Sequence, residues 1–333
     1  MLPEEHPLYH HPFFQGLPAE HLDVVMRIVR TINFPDRAPL FLQGDQARSV
    51  YFIVEGRLVL KATLPGGGEV ELTSLQAGDI LGELALMKHH RRSVGAFAEG
   101  RLTALCMDSE DLSALCAHYH PASLLIMHRL AKTVARRIQD SNQGAAHVID
   151  DEWCKLAERE SEETVNGAEF HFQSFLPALS FFKHFSKADI EALVAMGHEI
   201  TVPKHCLVRR PYDENRNCYV IIRGALETCF VGAEGSYRTE VLGPGGVLGE
   251  TGWLLNEAPA SAARSLSRST LLVLPASCRE TLNDAGSHLS FRFHESLVRS
   301  LLSKLDTQAR GYARRQQVKL IGAHSLTRES DRV

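Results

Sequence analysis

The stretch Gly78-Asp79-Ile80-Leu81-Gly82-Glu83-Leu84-Ala85-Leu86-Met87-Lys88-His89-His90-Arg91-Arg92-Ser93 decides the reading of this chain. A glycine turn leads directly into a short helix-prone run, Glu83 to Met87. The start of a helix exposes N–H groups without intrahelical partners and carries a partial positive charge, so an anion can sit there. An arginine a few residues later adds a forked guanidinium contact to phosphate. Glu83 can accept hydrogen bonds from sugar hydroxyls, and Ser93 offers a hydroxyl to a phosphate oxygen or a base edge. The set suits a small ligand with a single phosphate charge. It does not suit a triphosphate, because the lysine and the magnesium-binding Ser/Thr of a P-loop are missing.

Outward from this stretch, the chain repeats itself. A shift of 168 residues places Tyr51-Phe-Ile-Val-Glu-Gly56 on Tyr219-Val-Ile-Ile-Arg-Gly224, Phe34-Pro35 on Val202-Pro203, and Phe13-Phe14 on Phe181-Phe182. With a slip of one residue, Leu81-Gly-Glu83 falls on Leu248-Gly-Glu250. Two copies are too few for a solenoid, so the repeat predicts tandem domains. Each copy opens with an amphipathic helix, carrying Leu22, Val25 and Met26 in the first and Ile190, Leu193 and Val194 in the second. Runs rich in β-branched and aromatic residues follow, Val50–Leu60 and Tyr219–Phe230. Pro65-Gly66-Gly67-Gly68 and Gly232-Ala-Glu-Gly235 supply hairpin turns. Long helical stretches close both copies. Many short strands with terminal helices predict an α+β chain of two tandem jelly-roll β-barrels with flanking helices. The boundaries are domain one at 12–143, an acidic linker at 144–173 and domain two at 174–320. Within 150–169 there are eight acidic and two basic residues, which fits a solvated connector.

Gly-Glu-Leu-Ala-Leu-Met followed by Arg-Arg-Ser resembles the phosphate-binding cassette of the cyclic-nucleotide-binding domain family. That family includes the bacterial catabolite activator protein and the regulatory subunits of cAMP-dependent protein kinase. Phe13-Phe14-x-Gly16-Leu17, Phe34-Pro35, Phe41-Leu42-x-Gly44-Asp45 and Tyr51 to Gly56 match its flanks. The resemblance covers roughly 12–143 and, more weakly, 174–312. It implies that Glu83 binds the ribose 2′-hydroxyl and that Arg92 neutralises a cyclic phosphate with Ser93 beside it. Backbone N–H groups near Gly82, Glu83, Leu84 and Ala85 would line the phosphate. Arg91 is the alternative to Arg92, but aligning Arg-Ser through to Ala98 favours Arg92. The family closes its pocket with a long helix. Residues 135–142 match that helix, which makes Ser141 and Asn142 candidate base contacts, or else a polar helix end. The ligand implied is cAMP or cGMP, and no separate cofactor is expected.

Copy two keeps Gly249-Glu250 but places Ala260 opposite Arg92. Pro259-Ala260-Ser261 therefore leaves no guanidinium at that position, and Arg264 and Arg268 are expected to be displaced along the strand. Its candidate residues are Gly249, Glu250 and Ser261, in a pocket expected to be weak, selective for another ligand, or purely structural. The stripe Leu297, Val298, Leu301, Leu302 and Leu305 predicts an apolar seam for packing or dimerisation, and a homo-oligomer is expected.

Composition narrows the rest. The 333 residues carry 36 Lys+Arg against 40 Asp+Glu, a formal net charge of −4, so this is not a dedicated polyanion binder. DNA is not an expected partner, and no helix-turn-helix unit is recognised after residue 320. No apolar run reaches membrane-spanning length, and the acidic, His-rich start is not a signal peptide. The seven cysteines are scattered without a C-x-x-C, which predicts reduced thiols and a cytoplasmic protein. The His pairs lack zinc-site spacing, so no metal is expected. No nucleophile–base pair or catalytic carboxylate motif stands out, so the chain is expected not to be an enzyme. The expected role is a cyclic-nucleotide receptor signalling to an unknown protein partner or by self-association. The alternatives are a ligand-free tandem scaffold and an atypical transcription regulator.

Overall fold

The computed structural model describes residues 6–63, 68–87, 90–118, 120–143, 174–232, 235–284 and 287–307, with the side chains of 141–143 and 230–239 outside the description. The sequence-identified acidic linker, 144–173, lies outside the described residues. The described residues form two compact units, one of those within 1–125 together with 305–307 and one of those within 126–304.

In the first unit, α1 (Ala19–Ile28) precedes β1 (Val29–Phe34), β2 (Pro39–Phe41), β3 (Ser49–Thr63), β4 (Glu69–Gln76), β5 (Ile80–Leu81) and β6 (Gly95–Asp108). α2 (Ser109–Ala117) follows, then the start of α3 (Pro121–Gln143). The antiparallel strands run in the order β1-β6-β3-β4, with β2 paired to β6 and β5 to β3. β3 and β6 are long enough to serve both halves of this sheet, and their pairing is interrupted by bulges around Glu55 that bend it. Alternating inward residues build the core from Leu40, Tyr51, Ile53, Leu58, Leu81, Ala96, Ala98, Leu102 and Ala104. Phe13, Phe14 and Phe52 pack with ring centroids 4.8–4.9 Å apart and hold the N-terminal segment on β3.

The second unit repeats the plan. It has α4 (Lys187–Met196), β7 (His198–Val202), β8 (Leu207–Arg209), β9 (Cys218–Arg223), β10 (Leu226–Gly232), β11 (Gly235–Leu242) and β12 (Val247–Leu248). Then come α5 (Glu250–Leu255), β13 (Ala262–Ser265), β14 (Ser269–Leu274), α6 (Arg279–Leu282) and α7, residues 288–307. Ser186 starts α4 with a capping box: its Oγ accepts from the Asp189 N–H, and the Asp189 carboxylate accepts from the Ser186 N–H. Here the strands corresponding to β3 and β6 are each broken in two. The result is two four-stranded sheets, β12-β9-β14-β7 and β11-β10-β13-β8. Numbered within the copy, these are the orders 6-3-8-1 and 5-4-7-2 of a jelly roll.

The apolar stripe of α7 is internal. Leu297, Val298, Leu301 and Leu302 are buried within the chain, so they pack the fold rather than present a free seam. Met127, Leu130, Ala131, Val134 and Ile138 of α3 are buried as well. His128 of α3 and His294 of α7 stack edge to face, with His128 Nδ1 2.7 Å from His294 Nε2. His294 Nδ1 lies 2.9 Å from the Ser290 carbonyl, which can only accept. That partner puts the proton of a neutral His294 on Nδ1 and makes its Nε2 the acceptor for His128.

Candidate functional site

The cassette of copy one begins where β5 ends. Gly82 has φ +87°, in the left-handed region where glycine carries no Cβ penalty. A Cβ there would stand 2.5 Å from Arg92 Nη1 and 2.8 Å from the Ser49 carbonyl oxygen, so the position needs glycine for space as well. Glu83–Leu86 then form one turn of 3-10 helix, with the Ala85 N–H donating to the Gly82 carbonyl at 2.9 Å. Glu83 and Ala85 are buried, and Leu84 and Ser93 are half-buried.

Arg92 is 7 % exposed, although it is charged. Its Nη2 donates to the Ser49 carbonyl at 2.7 Å and its Nη1 to the Gly82 carbonyl at 3.3 Å. The guanidinium lies 4.0 Å over the Phe41 ring and 5.9 Å from the Tyr51 ring, a geometry of cation–π attraction. Nε has no hydrogen-bond partner among the described residues. Burial pulls the guanidinium below its ordinary pKa, and the charge of Glu83 is among the influences opposing this. Arg91, the sequence alternative, turns outward and donates to the Gly44 carbonyl at 2.8 Å. The structure therefore brings Gly82, Glu83, Ala85 and Arg92 to one corner of the sheet. Ser141 and Asn142 belong to α3, but their side chains lie outside the described residues.

Copy two has the same corner. Gly249 has φ +90°, and a Cβ there would collide with the Asn217 carbonyl oxygen, Asn217 being the residue that the 168-residue shift places on Ser49. Glu250, 2 % exposed, opens α5. The expectation that no guanidinium stands here is corrected. Arg209, at the end of β8, brings Nη1 to 3.4 Å from the Gly249 Cβ position, and its Nη2 donates to Ser261 Oγ at 2.9 Å. Arg264 is spent elsewhere, pairing with Glu227. Glu250 is itself engaged: Lys304 of α7 donates to its Oε1 at 2.6 Å and to the Val247 carbonyl at 2.7 Å. Sequence reasoning missed Arg209 because the shift places it on Phe41, an apolar residue one strand away from Arg92. The signal was the pairing of the two exchanges, Phe41 to arginine and Arg92 to alanine.

Two antiparallel jelly-roll copies now stand with a glycine-glutamate corner and a buried guanidinium in each. The family described as cyclic nucleotide-binding domain matches residues 31–119 and 199–282, together just over half of the chain. The chain belongs to this family. Among its relatives is the cyclic AMP receptor protein of Thermus thermophilus, 31 % identical over 131 residues, or 39 % of this chain and 59 % of that protein. The cAMP-dependent protein kinase regulatory subunit of Dictyostelium discoideum is 28 % identical over 104 residues, or 29 % of this chain and 32 % of that protein. The crystal structure of the Thermus thermophilus catabolite activator protein matches at 30 % identity, covering 42 % of this chain and 61 % of that one with a TM-score of 0.35. The chain spans less than two thirds of the length of these curated relatives. Among the described residues, no helix is long and apolar enough to cross a membrane.

Proposed function

We propose that this chain is a cyclic-nucleotide receptor, taking cAMP or cGMP at the corner of copy one. The observation that carries the reading is Arg92. A cation buried beside a left-handed glycine and a buried glutamate, held by two backbone carbonyls and a ring face, is expensive unless an anion comes to it. Arg92 neutralises the cyclic phosphate. Backbone N–H groups near Gly82, Glu83, Leu84 and Ala85 line it, that of Ala85 shared with the Gly82 carbonyl; Ser93 stands beside it, and Glu83 accepts from the ribose 2′-hydroxyl. Ser141 and Asn142 of α3 are the base contacts in this reading. The receptor acts by conformational change on a protein partner or by self-association. Ligand can drive such a change only through different affinities for two states. Among the described residues, Cys106, Cys116, Cys206, Cys218, Cys229 and Cys278 are thiols outside any disulfide, which supports a cytoplasmic setting.

Titration calorimetry of wild type and Arg92→Ala against cAMP and cGMP tests this. Losing a charge-assisted phosphate contact is expected to weaken copy-one binding by roughly tenfold to a hundredfold, about 1.5–3 kcal/mol. Folded wild-type protein that gives no heat with either nucleotide overturns the reading.

A further inference from the structure

The corner of copy two holds a cation that its cassette sequence lacks. Arg209 is 5 % exposed, and its Nε, buried like that of Arg92, has no hydrogen-bond partner among the described residues. Burial pulls its pKa down, while Glu250 foremost among nearby charges opposes this. The guanidinium lies near the equivalents of two groups beside Arg92, Gly249 for Gly82 and Tyr219 for Tyr51, and it donates to Ser261, the residue that the 168-residue shift places on Ser93. The charge has been kept and the strand that delivers it has changed. Arg209 replaces the ring of Phe41 on the equivalent strand, and Ala260 vacates the place of Arg92.

The carboxylate of the corner differs in its partner. Lys304 holds Glu250, with Val247 and, at 3.6 Å, Glu240 completing the shell around the ammonium. A sugar hydroxyl arriving at Glu250 would meet a carboxylate already held at Oε1 by a buried charge-assisted hydrogen bond, roughly twice as strong as a neutral one, and so a weaker acceptor than a free carboxylate.

We propose that copy two is a second anion site, taking a small ligand with one phosphate on Arg209 and Ser261 and not reading its ribose 2′-hydroxyl through Glu250. The proposal rests on the reading of copy one only in the choice of nucleotide probes. The test uses the full chain carrying Arg92→Ala, which weakens the first corner so that a second, Arg92-independent binding step is read apart from it. The probes are cAMP, 2′-deoxy-cAMP and inorganic phosphate, followed by calorimetry and by ³¹P line broadening. The expected result is about one equivalent of cAMP per chain, with 2′-deoxy-cAMP within about threefold of it. Adding Arg209→Gln is expected to weaken both by tenfold or more, the share of a charged phosphate contact. Arg209→Lys, which keeps charge but not the fork, is expected to fall between. Ser261→Ala, on a half-buried side chain, gives a milder loss and guards against misfolding of the arginine variants.

Binding that Arg209→Gln leaves unchanged overturns the proposal. So does an Arg92→Ala chain that binds no probe while wild type binds cAMP. A tenfold preference for cAMP over its 2′-deoxy form overturns the part concerning Glu250. If wild type binds no nucleotide, the reading of copy one falls, and phosphate decides the second site alone. Broadening of the phosphate line that Arg209→Gln removes sustains the site, and its absence from wild type overturns it.

Discussion

Replacing Lys304 with methionine is expected to lower the unfolding free energy of the second unit by about 3–5 kcal/mol, the range for breaking a buried ion pair by deleting one partner. Methionine keeps most of the volume of the lysine stem, so the loss reports charge rather than a cavity. Lys304 sits among Glu250, 2.6 Å away, the Val247 carbonyl and Glu240. Burial works against the charged ammonium, yet the two glutamates win and its pKa stands above the ordinary lysine value. Without the amine, Glu250 loses that hydrogen bond at 2 % exposure and has Arg209 as its nearby cation. The double variant Lys304→Met/Glu250→Gln removes both halves of the pair and is expected to recover part of the loss. Urea unfolding followed through Trp253, which is fully buried in this unit, reads the effect once Trp153 has been changed to phenylalanine. A single variant within about 1 kcal/mol of wild type would show that the pair contributes little.

The second large effect is acid loss of stability at His128 and His294. Burial is the main cause that lowers His128 to about 3, with the charges of His294, Lys132 and Arg129 adding to it. Burial likewise lowers His294 to about 4, against the hydrogen bond to Ser290. Both values lie below the ordinary histidine value of about 6.5, so between them and 6.5 the unfolded chain binds protons that the folded chain does not. Stability from this pair is complete above about pH 6.5 and falls as the pH drops toward 4 and then 3. Between pH 7.5 and 5.5 the pair is expected to remove about 2–3 kcal/mol, roughly 1.4 kcal/mol per histidine per pH unit below 6.5. Urea midpoints at the two pH values, in wild type and in His128→Gln/His294→Gln, measure it. If the double variant keeps the full pH dependence, the loss belongs to other groups.

Much of this architecture was legible in the sequence for identifiable reasons. The repeat was visible because jelly-roll strands need alternating apolar residues, and Tyr51 to Gly56 and Tyr219 to Gly224 supply them at the same spacing. The cassette was legible because a tight corner needs a glycine whose identity is fixed by backbone conformation, as at Gly82 and Gly249. Two features were hidden. Arg209 could not be found by matching residues column by column, since guanidinium reach makes charge position a property of space and not of register. The partner of Glu250 was hidden because Lys304 lies 54 residues along the chain, on a helix whose apolar stripe predicted packing or dimerisation and no charged contact.

The two copies also differ in how their sheets are joined. In copy one, β3 and β6 run unbroken for 15 and 14 residues, so both faces of the barrel share the same backbone ribbons. In copy two those ribbons are cut between β9 and β10 and between β13 and β14. A fluctuation that loosens one face of the first copy must tug on the other, whereas the second can let one face breathe while the opposite face stays zipped. In amide exchange the N-terminal barrel is therefore expected to open as one cooperative unit and the C-terminal one as two.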